Sequence, residues 1–158
     1  MPKVIIIYYS RTGNTESMAR AVAEGVESGG LAASVKRVDY ATTFDLTSAD
    51  GVAFGSPCYF GYMAGIMKEF FDRMLQGAIL KNLEKKPAVA FVSNGETDGG
   101  KDALLSIENM MAHFLLQKAA DGVISRGKPG SAKIEECKKL GAALAQAVKK
   151  RKVKGHKA

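Results

Sequence analysis

Tryptophan is absent from the 158 residues, and histidine and cysteine occur twice each. The two thiols, Cys58 and Cys137, offer neither a disulfide framework nor the paired spacing of a structural zinc site, so the fold must rest on its own core. That economy of cysteine agrees with a reducing compartment. No run of about 18 apolar residues occurs, which removes a membrane-spanning helix. The residues before the first apolar run, at Lys3, lack a charged leader and a cleavage site, so no signal peptide is expected and the chain reads as cytoplasmic. Two nucleotide motifs are missing as well: G-x-x-x-x-G-K-[ST], which disfavours an ATPase, and G-x-G-x-x-G, the fingerprint of dinucleotide loops.

One sign of charge is nearly missing from one segment. The formal net charge is +7, but residues 149–158 (KKRKVKGHKA) hold six Lys or Arg and no acid, which leaves 17 basic against 16 acidic residues elsewhere. The body is therefore almost neutral. A terminal block of this kind is expected to be a solvated, disordered tail, not a nucleic-acid or membrane site. We expect one domain over residues 1–148 and a basic tail over 149–158; a chain of this length buries about 70% of the surface its unfolded form exposes.

Strand-length apolar runs lie at residues 3–9, 33–38, 51–55, 87–93 and near 115–119, several of them continuous instead of alternating. Continuous runs suit parallel strands covered on both faces. Between them are helical stripes: Met18, Val22 and Val26; Ile66, Met67, Phe70, Phe71, Met74 and Leu75; Leu104, Ile107, Met111 and Phe114; and Ile134, Cys137, Gly141, Leu144 and Val148. Residues 39–50 promise only a short helix or turn. Five strands alternating with helices predict a doubly wound α/β domain with a five-stranded parallel sheet and helices on both faces.

Ligands of such folds bind beyond the carboxyl ends of the strands. Three segments there are unlike ordinary connections. Ser10, Arg11, Thr12, Gly13, Asn14 and Thr15 follow the first strand with hydroxyls and turn-forming residues, and a helix starting near Asn14 or Thr15 would aim its unpaired N–H groups and positive dipole end into the loop. That is a site for a terminal phosphate; a plain helix cap would explain Thr15 alone. Ser56–Gly61 (S-P-C-Y-F-G), with Tyr62, brings Tyr59 and Phe60 to a strand edge, where aromatic rings suit a flat π ligand. Ser93–Gly100 (S-N-G-E-T-D-G-G) is Gly-rich enough to set backbone groups against the edge of a heterocycle. Phosphate, flat ring and polar edge together describe a mononucleotide such as FMN.

The combination of S-R-T-G-N-T after the first strand, G-S-P-x-Y-F-G before an apolar helix, and D-G-x-x-x-x-G-x-P (Asp121, Gly122, Gly127, Pro129) after the fifth strand resembles the flavodoxin family over nearly the whole chain. The resemblance implies sheet order 2-1-3-4-5 and an uninterrupted fifth strand. It further implies phosphate binding by Ser10–Thr15, with Ser56, Pro57, Tyr59, Phe60 and Gly61 on one side of the flavin ring and Ser93, Asn94 and Gly95 on the other. It also implies a role for Gly61, whose peptide would lie at the flavin N5. Electron-carrier flavodoxins are acidic and usually sandwich the ring between aromatics; here the body is neutral and residues 93–100 contain no aromatic. The Y-F-G segment followed by M-A-G-I-M-K-E-F-F-D-R is similar to flavodoxin-like NAD(P)H:quinone reductases, which are longer. Two functions follow as expectations: electron transfer between redox protein partners by a monomer or weak homo-oligomer, or reduction of a small quinone by NAD(P)H. A phosphoacceptor receiver is discounted, because Gly55 and Ser56 stand where the third strand would need an aspartate.

No side chain is assigned acid-base, nucleophilic or metal-binding work. Cys58 is expected to fill the second loop, Cys137 to lie in the core, and His113 to be solvated on a polar helix face with Asp102, Ser106 and Asn109. Glu96 and Asp98 suit either a turn or the pyrimidine edge of the ring.

Overall fold

The computed structural model describes residues 1–75, 77–95 and 98–157. The apolar runs form parallel strands β1 (Lys3–Tyr8), β2 (Ala32–Arg37), β3 (Gly51–Tyr59) and β5 (Pro87–Asn94), while β4 (Tyr62–Met63) is the return arm of a hairpin on β3. The last run is divided into β6 (Gln117–Lys118) and β7 (Val123–Arg126), both parallel to β5. The helices are α1 (Asn14–Ser28), α2 (Thr43–Ser48), α3 (Gly65–Arg73), α4 (Gly77–Leu83), α5 (Gly100–His113) and α6 (Ser131–Lys157). The strand path is β2-β1-β3-β5-β6. With the hairpin arm counted as part of β3 and the two final pieces as one strand, this is the expected 2-1-3-4-5 order.

Successive residues of the strands serve opposite faces. Ile5 and Ile7 join Phe54, Phe70, Phe71 and Ile107 in the core under α2 to α5, whereas Val4 and Ile6 join Met18, Val22, Leu140 and Leu144 under α1 and α6. Both faces are covered, which is why the strands read as unbroken apolar runs. Between α1 and α6 two glycines permit backbone contact: a Cβ on Gly25 would lie 1.9 Å from the Lys138 carbonyl oxygen, and one on Gly141 would lie 2.0 Å from that of Val22.

Five expectations change. β3 continues past residue 55 because β4 gives it a ladder partner, Cys58 opposite Met63 and Tyr59 opposite Tyr62, so Ser56–Tyr59 is strand and not loop. The fifth strand is not uninterrupted: after the Ala119 N–H donates to the Ala88 carbonyl at 2.9 Å, residues 120–122 leave the ladder, and Asp121 and Gly122 precede β7 instead of following the last strand. A side chain at Gly122 would press on the Ala90 carbonyl oxygen at 2.6 Å. The helix α4 was not anticipated. Ser106 is buried rather than solvated, donating to the Ala103 carbonyl (2.6 Å) and accepting from the Met63 N–H (3.1 Å).

The basic segment also departs from expectation, since residues 149–157 continue α6. Lysine and arginine are good helix formers and favour a helix C-terminus. Two contacts hold this extension to the amino-terminal edge of the sheet: Lys152 pairs with Asp50 at 2.8 Å, and Arg151 donates to the Glu84 carbonyl at 3.3 Å. Burial pushes the Asp50 carboxyl up, but hydrogen bonds from Lys152 and from the Lys3 N–H outweigh it and hold the group below the usual carboxylate range.

The glycine contact yields a stability prediction. Gly25→Ala forces α1 and α6 apart and is expected to cost about 1–3 kcal/mol or more, whereas Gly155→Ala, in open space on the same α6, leaves the melting temperature equal or slightly raised. Equal melting temperatures for the two variants would show that the helix crossing tolerates a methyl group.

Candidate functional site

The carboxyl ends of β1, β3 and β5 open into a cavity of about 340 Å³. Arg11, Thr12, Asn14 and Thr15 line it from the first loop, Pro57, Cys58 and Tyr59 from the end of β3, and Ser93, Asn94 and Gly95 from the end of β5. This volume falls in the range of small-ligand pockets, about 300–1,000 Å³. A larger groove of about 610 Å³, lined by residues such as Ser28, Gly29, Ala142, Lys149 and Val153, lies where α1 and α6 end, away from the strands' carboxyl edge.

The first loop is built to present donors. Gly13 takes φ 98° as the residue before α1, a left-handed conformation that disfavours any side chain. Its N–H donates to Ser10 Oγ at 3.1 Å, closing the turn. The helical ladder begins with Ser17 N–H to the Gly13 carbonyl at 3.0 Å, so the N–H groups of Asn14, Thr15 and Glu16 precede it and point from a positive helix end. Thr15 and Ser93 share a buried hydroxyl hydrogen bond of 2.6 Å, which ties the start of α1 to β5. Behind the loop, Arg37 Nη1 donates to the Ser10 carbonyl at 3.1 Å.

The second wall is a hairpin under strain. Ser56 is fully buried; its hydroxyl accepts from the Ala64 N–H and donates to the Pro57 carbonyl, both at 2.8 Å, which fixes the root of the hairpin. The two turn residues, Phe60 (φ 54°) and Gly61 (φ 73°), both have positive φ, the pattern of a type I′ turn. Such a conformation is ordinary for glycine and unfavourable for phenylalanine. Yet the Phe60 ring is fully exposed and packs on nothing that would repay the strain. From the other side Gly99, at φ 128°, approaches so closely that a Cβ there would sit 3.0 Å from Gly61 Cα.

The expected residues do not all meet. Nine of them line the cavity: Arg11, Thr12, Asn14, Thr15, Pro57, Tyr59, Ser93, Asn94 and Gly95. Ser10, Gly13 and Ser56 shape its walls through the hydrogen bonds above. Of the three aromatics only Tyr59 faces the cavity; Phe60 stands at the rim, and Tyr62 turns with Gly61 to a separate groove beside Asp102, Leu105, Asn109 and His113 on α5. His113 is exposed and Cys137 fully buried, as expected. Glu96 lies outside the described residues, and Asp98 is exposed. Cys58 and Arg37 were not counted as site residues. The former was legible from its place in the aromatic loop, whereas nothing local in the sequence points to the latter.

Two features mark the cavity as a binding site. The Tyr59 hydroxyl is buried without a geometrically sound hydrogen bond, and burial, reinforced by Tyr9 and opposed by Arg11, raises its pKa. A buried polar atom left without a partner costs about 1–3 kcal/mol, a cost that a polar ligand atom would relieve. The three free N–H groups of α1 are the second feature, since such a helix end is an anion site. Among the described residues no His, Cys, Asp and Glu cluster suited to a metal ion occurs.

Comparison with known proteins agrees with this architecture. A family model described as "Flavodoxin domain" matches residues 5–128. A flavodoxin from Aquifex aeolicus (strain VF5) is 40% identical over 161 residues, covering 92% of this chain and 86% of its own length. An NAD(P)H dehydrogenase (quinone) from Archaeoglobus fulgidus is 32% identical over 154 residues, covering 82% and 78% respectively. Among solved structures, a flavodoxin from the domain Archaea superposes with a TM-score of 0.82 at 28% identity, over 93% of this chain and 99% of its own. A WrbA-like flavodoxin from Agrobacterium tumefaciens reaches 0.83 at 21% identity, over 95% and 99%, a likeness of fold alone.

The strained turn predicts opposite effects on stability and binding. Phe60→Asn places the residue most tolerant of this conformation before Gly61 and is expected to stabilise the ligand-free protein by about 1 kcal/mol. If the ring closes over a bound ligand, the same substitution weakens flavin affinity. Thermal melts with and without added flavin read both effects, and a variant that melts lower without ligand would contradict the strain.

Proposed function

This chain belongs to the flavodoxin family, and from that premise we propose that it binds FMN non-covalently and passes electrons between redox protein partners. The observation that carries the reading is the union, in one cavity, of the free N–H groups at the start of α1 with an uncluttered slot between Tyr59 and Gly95. The N–H groups of Asn14, Thr15 and Glu16, with Arg11 and Thr12, would hold the phosphate. Backbone groups of Ser93–Gly95 would meet the polar edge of the ring, with Tyr59 along its wall. When bound, FMN supplies the electron-accepting and electron-donating chemistry; the protein supplies binding and electrostatics. No acid-base or nucleophilic side chain is assigned, since the bound flavin would itself take and release the electrons. The adenylate of FAD would need room that these short loops do not announce.

A second reading is NAD(P)H-dependent reduction of a small quinone. It is favoured by the wall formed by Ser93, Asn94 and Gly95, which carries no aromatic, so that one ring face would be open to a nicotinamide or quinone. Against it stands the expectation of a monomeric or weakly associating chain.

Fluorescence titration tests the cofactor. FMN is expected to bind saturably, and Thr12→Ala combined with Thr15→Ala to weaken it by at least about tenfold, the value of one charge-assisted hydrogen bond. No saturable change with the wild type would remove the proposal.

Anaerobic mixing of the FMN-loaded protein with NADH or NADPH then separates the two readings. Inertness to both supports an electron carrier. Rapid bleaching of the flavin followed by many quinone-dependent turnovers would establish the reductase.

A further inference from the structure

We infer that Arg37 is a positioning residue for phosphate binding, turning the Ser10–Arg11 peptide so that the Arg11 N–H faces the cavity; the inference deepens the FMN reading and rests on it for the identity of the ligand. Arg37 ends β2, the edge strand on the far side of β1 from the cavity. Its guanidinium is held in three ways: Nη1 donates to the Ser10 carbonyl at 3.1 Å, Nε pairs with Asp39 at 3.3 Å, and the group lies 5.4 Å from the centre of the Tyr9 ring. A planar cation gripped by a carboxylate and an aromatic face is a rigid anchor, unlike the flexible ammonium of a lysine.

The consequence follows from peptide geometry. In a trans peptide the carbonyl of one residue and the N–H of the next point in opposite directions. No cis peptide bond occurs among the described residues. The Ser10 carbonyl is spent on Arg37, on the β2 side of the loop, so the Arg11 N–H is directed to the β3 side, where the cavity opens between Arg11 and Pro57–Tyr59. Among the described residues no hydrogen bond takes that N–H. The Gly13 N–H, by contrast, is consumed by Ser10 Oγ. Donation from a charged guanidinium polarises the peptide and strengthens its N–H as a donor. Arg11 N–H thus joins those of Asn14, Thr15 and Glu16 as a further contact for a phosphate, and Arg37, 27 positions from Ser10 in sequence, holds it there through the Ser10 carbonyl.

The inference is tested on the full chain with three probes: inorganic phosphate, FMN and riboflavin. In ¹⁵N-labelled protein the Arg11 amide proton is expected to move downfield on addition of inorganic phosphate, to lose most of that response in Arg37→Ala, and to regain at least half of it in Arg37→Lys, which keeps a charged donor. In flavin titrations Arg37→Ala is expected to weaken FMN about tenfold and to leave riboflavin unchanged, because only FMN carries the phosphate. An equal Arg11 response in wild type and Arg37→Ala overturns the inference. So does an equal weakening of FMN and riboflavin, or the absence of any recovery in Arg37→Lys, either of which reduces Arg37 to packing on Tyr9. Should neither flavin bind the wild type, the FMN reading fails, and the response of Arg11 to inorganic phosphate alone decides this inference.

Discussion

The crossing of α1 over α6, backbone against backbone at Gly25 and Gly141, is the contact on which the site depends. It is made in the carboxyl-terminal half of α1, and the amino-terminal end of the same helix, proposed above to meet a phosphate, lies two to three turns away at Asn14. A rigid helix transmits position along its length, so the depth at which α1 sits on the sheet decides where its free N–H groups point. The Thr15–Ser93 hydroxyl pair then fixes that end against β5. Small residues at one crossing and a single buried hydrogen bond at the other end thus fix where those N–H groups lie.

The hairpin obeys the opposite logic. Its root is overdetermined: Ser56 engages Ala64 and Pro57, and Ser106 engages Met63. Its tip is strained, with a phenylalanine at positive φ and its ring in solvent. A rigid base with an unfavourable tip is an arrangement in which ligand contact, and not folding, repays local energy. The Tyr59 hydroxyl, on the same hairpin and without a hydrogen-bond partner among the described residues, belongs to the same pattern.

Charge is distributed along one axis of the molecule. The cationic extension of α6 is pinned by the Asp50 carboxylate and the Glu84 backbone carbonyl at the amino-terminal edge of the sheet, whereas the cavity at the other edge is lined by Arg11 and the amino-terminal end of α1. At physiological salt a surface charge is screened within about 8 Å, so the two regions act independently. The net charge of +7 therefore says little about the cavity.

The sequence by itself determined the layer architecture, because strands buried on both faces must be apolar throughout, and helices resting on them must carry a stripe. It also determined the turn at Ser10–Thr15, whose residues and helix start act through neighbouring backbone. Four of the nine expected residues that line the cavity, Arg11, Thr12, Asn14 and Thr15, lie there for that reason. What local pattern did not contain, tertiary pairing decided. β3 extends through Tyr59 because β4 folds back on it, and this sends Tyr59 into the cavity and Tyr62 away from it, an outcome of register that alternation alone does not reveal. The break between β6 and β7 comes from the approach of Gly122 to β5 and α5, and the helical state of residues 149–157 from an ion pair spanning about a hundred positions. Arg37 reaches Ser10 only because β1 and β2 lie side by side in parallel register, Tyr8 opposite Arg37. Contacts of that kind depend on where distant strands end in space, and strand ends become neighbours only when the sheet has formed.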